Sequence, residues 1–256
     1  MTVAAEPLSI LPESSADVAT VIGQTRSFPL LLVCEHASDA IPAHLENLGL
    51  ADADRYSHAV FDIGAAHLAE RLSDALGVPL VIANWSRLIY DLNRPPEAPD
   101  AIPARVETID IPGNRSLSAA DREARAEALY YPFHKVVSDT LDAFDTAPTL
   151  VTIHSFTPVW NGAPRAVEIG FLHDADPTLA EAMLAAYDGP HRTALNEPYS
   201  AKDGVTHTLA RHATARGLRN VMIEVRNDLL SDDAAIDVVA TALAGALTAA
   251  LEEVAA

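Results

Sequence analysis

The sequence predicts an α/β fold with a mainly parallel or mixed central sheet and helices on both faces. Three observations carry the prediction. Largely apolar, uncharged runs of strand length, such as "LLLVC" and "TLVTI", recur along the chain, and strands buried on both faces read this way. Segments of helical periodicity lie between them, and such alternation favours a parallel sheet. The chain has 256 residues, 49% of them hydrophobic, which is enough for one sizeable core.

Residues 1–27, rich in Ala, Ser, Pro and Glu, read as an N-terminal arm, and residues 28–256 as a single α/β domain. Length and β-branched content predict strands at Leu30–Cys34, Leu80–Ala83, Leu150–Ile153, Val167–Phe171 and Val221–Val225, with a further short one at Leu88–Tyr90. The first helix, His58–Leu76, places Val60, Gly64, Leu68, Leu72 and Leu76 at steps of four and stops before Gly77. The second, Ala119–Phe144, has Ser118 as its cap and acidic residues in its first turn. Pro177–Tyr187, Gly204–Arg216 and Ala234–Val254 complete the set. In the last of these, Val239, Leu243, Leu247 and Leu251 form one stripe, the mark of a packing helix. The charge-free stretch there, between Asp237 and Glu252, is short for a bilayer. The proline-rich segment 94–116 is long enough to be a flap over a site.

A net charge of −19 disfavours nucleic acid and anionic membranes as partners. An anionic ligand would require arginines gathered locally. Cys34 has no second cysteine to pair with, which suits a reducing cytosol. The N-terminal residues lack the basic-then-apolar pattern of a signal peptide. A cytoplasmic protein is therefore expected.

In an open α/β sheet, ligands bind beyond the carboxyl ends of the strands. "LLLVC" is followed by Glu35 and His36, and "TLVTI" by His154 and Ser155. "NVMIEVRNDL" ends in Glu224 and Arg226, and "SRLIYDLNRP" in Asp91, Asn93 and Arg94. Such residues bind metals, move protons and grip carboxylates. Together they suggest a metal-assisted hydrolase, with His36 and His154 as nitrogen ligands and Glu224 as the base. Zinc accepts imidazole and carboxylate ligands, keeps a position open for water and makes that water acidic near neutral pH. Each residue also has a plain structural role open to it. Glu35 either caps the following turn or competes with His36 as ligand. Glu224 and Arg226 share one side of a strand and can pair with each other. Asp62, near the start of a helix, is favoured there by the helix dipole alone. Arg94 sits where a turn is expected, and Cys34 reads as a small buried apolar residue. HExxH, HxH, GxSxG and a phosphate-cradling loop are all absent.

The pieces "CEHASDAIP", "SRLIYDLNRPPEAPDAIP", "IPGN", "HSFTP", "NEPYSAKDG" and "VMIEVRNDL" resemble the N-formylglutamate amidohydrolase family, within the zinc carboxypeptidase-like hydrolases. They run from about residue 30 to 230. The resemblance implies a zinc-exopeptidase-like fold and a Zn²⁺ cofactor held by His36, Asp62 and His154. It also implies Glu224 as the catalytic glutamate. Many members read proline before the strand-end histidine, so Glu35 is a departure. The implied reaction is hydrolysis of N-formyl-L-glutamate to L-glutamate and formate, late in histidine breakdown.

A small anionic N-acyl amino acid calls for guanidinium groups, which bind carboxylates through paired charge-assisted hydrogen bonds. Arg87, Arg94 and Arg226 are the candidates, Arg226 with a second role at the oxyanion, and Asn93 is an amide partner. Asn196, Glu197 and Tyr199 in "NEPYS" are loop residues able to close over the substrate. His207 reads either as a cleft residue or as part of a helix surface. The rivals to this reading are a carboxypeptidase-like or other N-acyl-amino-acid amidase, and a metal-free binding protein for an acidic amino acid.

Overall fold

The computed structural model describes residues 10–11, 17–23 and 28–255. Strands β1 (Ala19–Ile22), β2 (Leu30–Cys34), β3 (Leu80–Ala83), β6 (Thr149–Phe156), β9 (Ile169–Leu172), β10 (Thr193–Leu195) and β11 (Asn220–Arg226) form one sheet. Two small ribbons, β4 (Arg105–Val106) with β5 (Ile109–Asp110) and β7 (Val159–Trp160) with β8 (Ala163–Pro164), stand outside it. The helices are α1 (Ala65–Leu76), α2 (Ala119–Arg125), α3 (Tyr131–Asp142), α4 (Thr178–Ala186), α5 (His207–His212) and α6 (Asp233–Glu253).

The seven-stranded sheet has the order β1-β3-β2-β6-β11-β9-β10. Its centre is parallel: β3, β2, β6 and β11 run together. β1 joins β3 antiparallel, and β9 joins β11 antiparallel, so the sheet is mixed. Every residue of β2 and β6 is buried, as strands covered on both faces must be. One apolar layer sets Leu68 and Leu72 of α1, Met183 of α4 and Leu243 of α6 against Leu30, Val151 and Ile223. The opposite layer sets Phe133 and Val137 of α3 and Leu209 of α5 against Leu31, Val33 and Leu150. At ~25 cal/mol per Å² of apolar area, these two layers are the main source of stability.

Most of the elements read from the sequence are present, with instructive exceptions. Part of the segment read as an arm, Ala19–Ile22, is the edge strand β1. Its run, Val18-Ala19-Thr20-Val21-Ile22, is as apolar as those of the central strands but lies among the Ala, Ser, Pro and Glu that read as an arm. Leu88–Tyr90 is a turn and not a strand, held by Ile89 N–H donating to the Ser86 carbonyl and Leu88 N–H to Ser86 Oγ. The helix read from His58 begins only at Ala65, because Gly64 is left-handed at φ 82°. A Cβ at Gly64 would lie 2.5 Å from Leu230 Cβ, so the tight packing there admits only glycine. Helix 119–142 is continuous but widens into a π turn at Ala126–Tyr130. By length and composition α6 could cross a bilayer; its Ile236, Val239, Leu243 and Leu247 are buried in the layer that holds α1 and α4.

Candidate metal centre and active site

The parallel centre of the sheet brings the strand-end residues together. β6 and β11 pair so that His154 lies directly beside Glu224. Side chains abreast on adjacent strands share a face, so both reach the same side. His36 follows β2, the neighbour of β6 on the other side. The His36 and His154 rings are 4.9 Å apart, edge to face. Asp62 arrives from the turn before α1. Its backbone N–H donates to the His36 carbonyl at 2.8 Å, and its Oδ2 accepts from the Ser155 N–H at 3.3 Å.

Asp62 Oδ2 is 2.9 Å from His154 Nδ1 and 3.4 Å from His36 Nδ1. One donor atom from each of His36, Asp62 and His154 lies within 4.8 Å of the others, and all three residues are buried. His36 Nδ1 and Glu224 Oε2 are buried with no hydrogen-bond partner. A set of two imidazoles and one carboxylate, with His36 Nδ1 left unpartnered within it, suits a divalent ion of the zinc type.

The far side of each ring meets an acid. His36 Nε2 is 2.7 Å from Asp91 Oδ1. His154 Nε2 is 3.1 Å from Glu35 Oε2, an ion-pair distance but off the line of a hydrogen bond. Arg87 donates to Asp62 Oδ1 at 3.3 Å through Nη1, and to Asp91 through Nη2. Asp91 thus orients both His36 and Arg87, and Arg87 in turn steadies Asp62.

These contacts set the protonation states. Burial opposes the charge on Asp62, yet His36 and His154 overcome it and hold the carboxyl well below its ordinary range. Asp91 is also held low against burial, by Arg87 and His36. Burial lowers the pKa of His154, but the Glu35 and Asp62 carboxylates outweigh it and leave the imidazole raised. Glu224 goes the other way: burial pushes its carboxyl up to about 7, against the pull of His154. A carboxyl poised near neutrality beside a candidate metal centre has the property a general base needs.

A cavity of about 340 Å³ opens over this cluster. His36, Asp62, Arg87, Asn93, Arg94, His154, Tyr199 and Glu224 line it. The flap residues Arg105, Val106 and Glu107 form part of its wall, with Trp160 of the second ribbon. Glu107 joins the two ribbons: its Oε1 accepts from the Asn161 N–H at 2.8 Å, and its Oε2 is 2.8 Å from His58 Nε2.

Arg226, Asn196 and Glu197 sit differently from the expectation, and His207 takes the second of its two readings. Arg226 does not line the cavity. Its guanidinium lies over the antiparallel neighbour, bonded to Glu168 Oε1 at 3.1 Å and Asp228 Oδ1 at 2.8 Å. Its own acids hold it there, so neither the pairing with Glu224 nor the oxyanion role has a geometric basis. Asn196 is turned to His173, with Nδ2 2.7 Å from His173 Nε2. Glu197 is outside the cavity as well; its carbonyl packs over Gly170. His207 bonds the Tyr130 hydroxyl at 2.8 Å, away from the cleft. Asn93 does line the cavity, but its amide clamps the 205–208 turn, accepting from the Thr208 N–H at 2.9 Å and donating to the Val205 carbonyl.

Arg165 is a residue the sequence reading missed. Its guanidinium lies over the rings of Phe156, Trp160 and Tyr199, 4.8–5.3 Å from their centroids, and donates to the Tyr199 hydroxyl at 2.9 Å. All three rings belong to the cavity wall. It sits in a connection after a short ribbon, where no periodicity marks it.

Fold and site together define an α/β protein with a candidate metal centre at the carboxyl edge of a mixed sheet. The chain belongs to the N-formylglutamate amidohydrolase family, whose model matches residues 28–231. The crystal structure of a gene product from Agrobacterium tumefaciens is 45% identical, with 96% of this chain and 100% of that one covered and a TM-score of 0.93. That of an N-formylglutamate amidohydrolase from Ralstonia eutropha JMP134 is 17% identical over 91% of this chain and 97% of that one, with a TM-score of 0.70; the likeness is one of fold. No curated protein matches the chain significantly.

Proposed function

We propose that this chain is a zinc-dependent amidohydrolase that cleaves the amide of an N-acyl amino acid, converting N-formyl-L-glutamate to L-glutamate and formate. The observation that carries the reading is the convergence of His36 Nδ1, His154 Nδ1 and Asp62 Oδ2 on one side of a cavity whose wall also holds the buried Glu224. Family membership supports the reaction type. A place late in histidine breakdown, in the cytosol, belongs to the same reading.

His36, Asp62 and His154 would hold the ion. Zinc bound there supplies a Lewis acid for the acyl carbonyl and acidifies the attacking water. Glu224 takes a proton from that water as its oxygen bonds to the acyl carbon. It then gives the proton to the amine nitrogen as the carbon–nitrogen bond breaks. Formate and the free amino acid result. Arg87 keeps Asp62 turned toward the two imidazoles. Arg94 is the guanidinium placed to take a substrate carboxylate. Its Nη1 is fixed by the Asn93 and Gly204 carbonyls at 3.0 Å, while the acid on its Nε, Asp100 Oδ2 at 2.9 Å, is 59% exposed, and so open an ion pair is weak. A substrate carboxylate can replace it.

A turnover screen of N-formyl-, N-acetyl- and aminoacyl-L-glutamate, with and without a chelator, tests the proposal. The expected result is preference for the formyl compound and loss of turnover on chelation. Preference for an aminoacyl compound would instead favour a carboxypeptidase-like enzyme, and no hydrolysis of any would favour a binding protein.

Gly170 gives a second prediction. It lies beside Glu224 in the register of β9 and β11, and a Cβ added to it would fall 1.8 Å from the Glu197 carbonyl oxygen. Gly170→Ala must therefore push the 197–199 turn outward and move Tyr199 from the cavity wall. Displacements of this order cost up to ~10²-fold in rate. The variant is expected to lose kcat/KM on that scale while keeping zinc. Unchanged kinetics in a folded Gly170→Ala protein would remove Tyr199 and its turn from the account.

A further inference from the structure

Glu35 is fully buried, lies outside the cavity wall, and has neither carboxylate oxygen in a hydrogen bond. An isolated buried carboxylate is strongly disfavoured, so such a group calls for a compensating partner. Its Oε2 faces His154 Nε2 at 3.1 Å, across the ring from the Nδ1 that meets Asp62. The other imidazole also stands between Asp62 and a second acid, with the bonded nitrogen reversed. His36 has Asp91 on Nε2 at 2.7 Å and an unpartnered Nδ1 toward Asp62.

A neutral imidazole carries one N–H and one lone pair, and whichever nitrogen meets an acceptor keeps the hydrogen. Both nitrogens of His154 meet a carboxylate, Asp62 at Nδ1 and Glu35 at Nε2; once Asp62 serves the ion, Glu35 is the acceptor that remains, and a hydrogen kept on Nε2 leaves the lone pair on Nδ1. Acceptors on the far nitrogen of a ligating histidine fix its tautomer and its orientation, and raise its basicity. We infer that Glu35 is a positioning residue for the metal centre: it holds the Nε2–H of His154 so that Nδ1 is presented beside that of His36, as Asp91 does for His36. The two rings then form a matched pair, both offering Nδ1, each backed by its own buried acid. Glu35 is neither a competing ligand nor a turn cap: the converging donor atoms are those of His36, Asp62 and His154, and neither of its oxygens takes a hydrogen bond from the following turn.

This inference rests on the metal-centre reading, and the experiment separates the two. The zinc dissociation constant is measured by chelator competition for the wild-type chain and for Glu35→Gln. Thermal melting of both metal-free proteins runs alongside. Loss of such a partner typically weakens metal binding ~10–100-fold, and that weakening is expected here without a fall in the metal-free melting temperature. A merely structural role would lower the melting temperature and leave the affinity of the folded variant alone. Unchanged affinity in Glu35→Gln overturns the role of Glu35 while the metal centre stands. Absence of zinc binding in the wild type removes the metal-centre reading itself. Should Glu35→Gln fail to fold, long-range ¹H–¹⁵N spectra of the zinc-loaded wild type decide the matter. Nε2–H on both His36 and His154 is expected, and a proton on Nδ1 of His154 contradicts the inference.

Discussion

Glu224→Gln is expected to reduce kcat for N-formyl-L-glutamate by ~10²–10⁴-fold, the usual contribution of a general base, while zinc stays bound. Glutamine keeps the shape and the burial of the side chain but cannot accept the water's proton. The pH profile gives a second readout. Burial holds the Glu224 carboxyl up to about 7, and a base works only when ionised. Rate therefore rises with pH through that pKa and falls as the group protonates below it. A bound dication stabilises the carboxylate, so in the loaded enzyme this limb lies at or below neutrality. The limb should vanish in Glu224→Gln. A variant that keeps wild-type kcat, or keeps the same ascending limb, assigns the proton transfer to another group.

His154→Ala is expected to abolish both metal binding and turnover. The change removes one of three donors and deprives the buried Asp62 and Glu35 of the imidazole between them. Arg226→Ala is the paired control. Its guanidinium is engaged by Glu168 and Asp228 and lies off the cavity wall, so kcat and zinc affinity should change little. pH adds a signed test of the intact site. Both imidazoles are raised by neighbouring carboxylates against burial, Asp91 and Asp62 acting on His36, and Glu35 and Asp62 on His154. Each ligating nitrogen must lose a proton before it can coordinate. Zinc affinity should therefore rise with pH across the neutral range. An affinity that falls as pH rises would place the ion elsewhere.

The sheet was largely legible because a strand covered on both faces needs an unbroken apolar run, and β2, β3, β6 and β11 supply one. The edge strand β1 carries a comparable run, Val18–Ile22, but its Ala-, Ser-, Pro- and Glu-rich surroundings masked it. The site was legible wherever a polar group interrupts such a run. Glu35–His36, His154 and Glu224 all do this, and parallel register brings their ends together. Asp62 breaks no run and belongs to no periodic face; its place comes from a backbone bond to the His36 carbonyl, which leaves no mark in the sequence. Asp91 stood in view in "DLNRP", yet its pairing with His36 required the third dimension. Arg226 misled because alternation along β11 puts it on the face of Glu224. At the strand's end the antiparallel neighbour offers Glu168, and the guanidinium follows that nearer acid. Spacing identifies a face of the sheet but not the acid a long side chain will reach.

The central claim is that His36, Asp62 and His154 hold one divalent ion that the reaction requires. Metal content settles it most directly: the wild-type chain and His154→Ala are equilibrated with zinc, dialysed, and assayed for bound metal and for N-formyl-L-glutamate turnover. The account predicts about one equivalent of zinc in the wild type, and neither zinc nor turnover in His154→Ala. Full turnover by a chain stripped of divalent metal would contradict it.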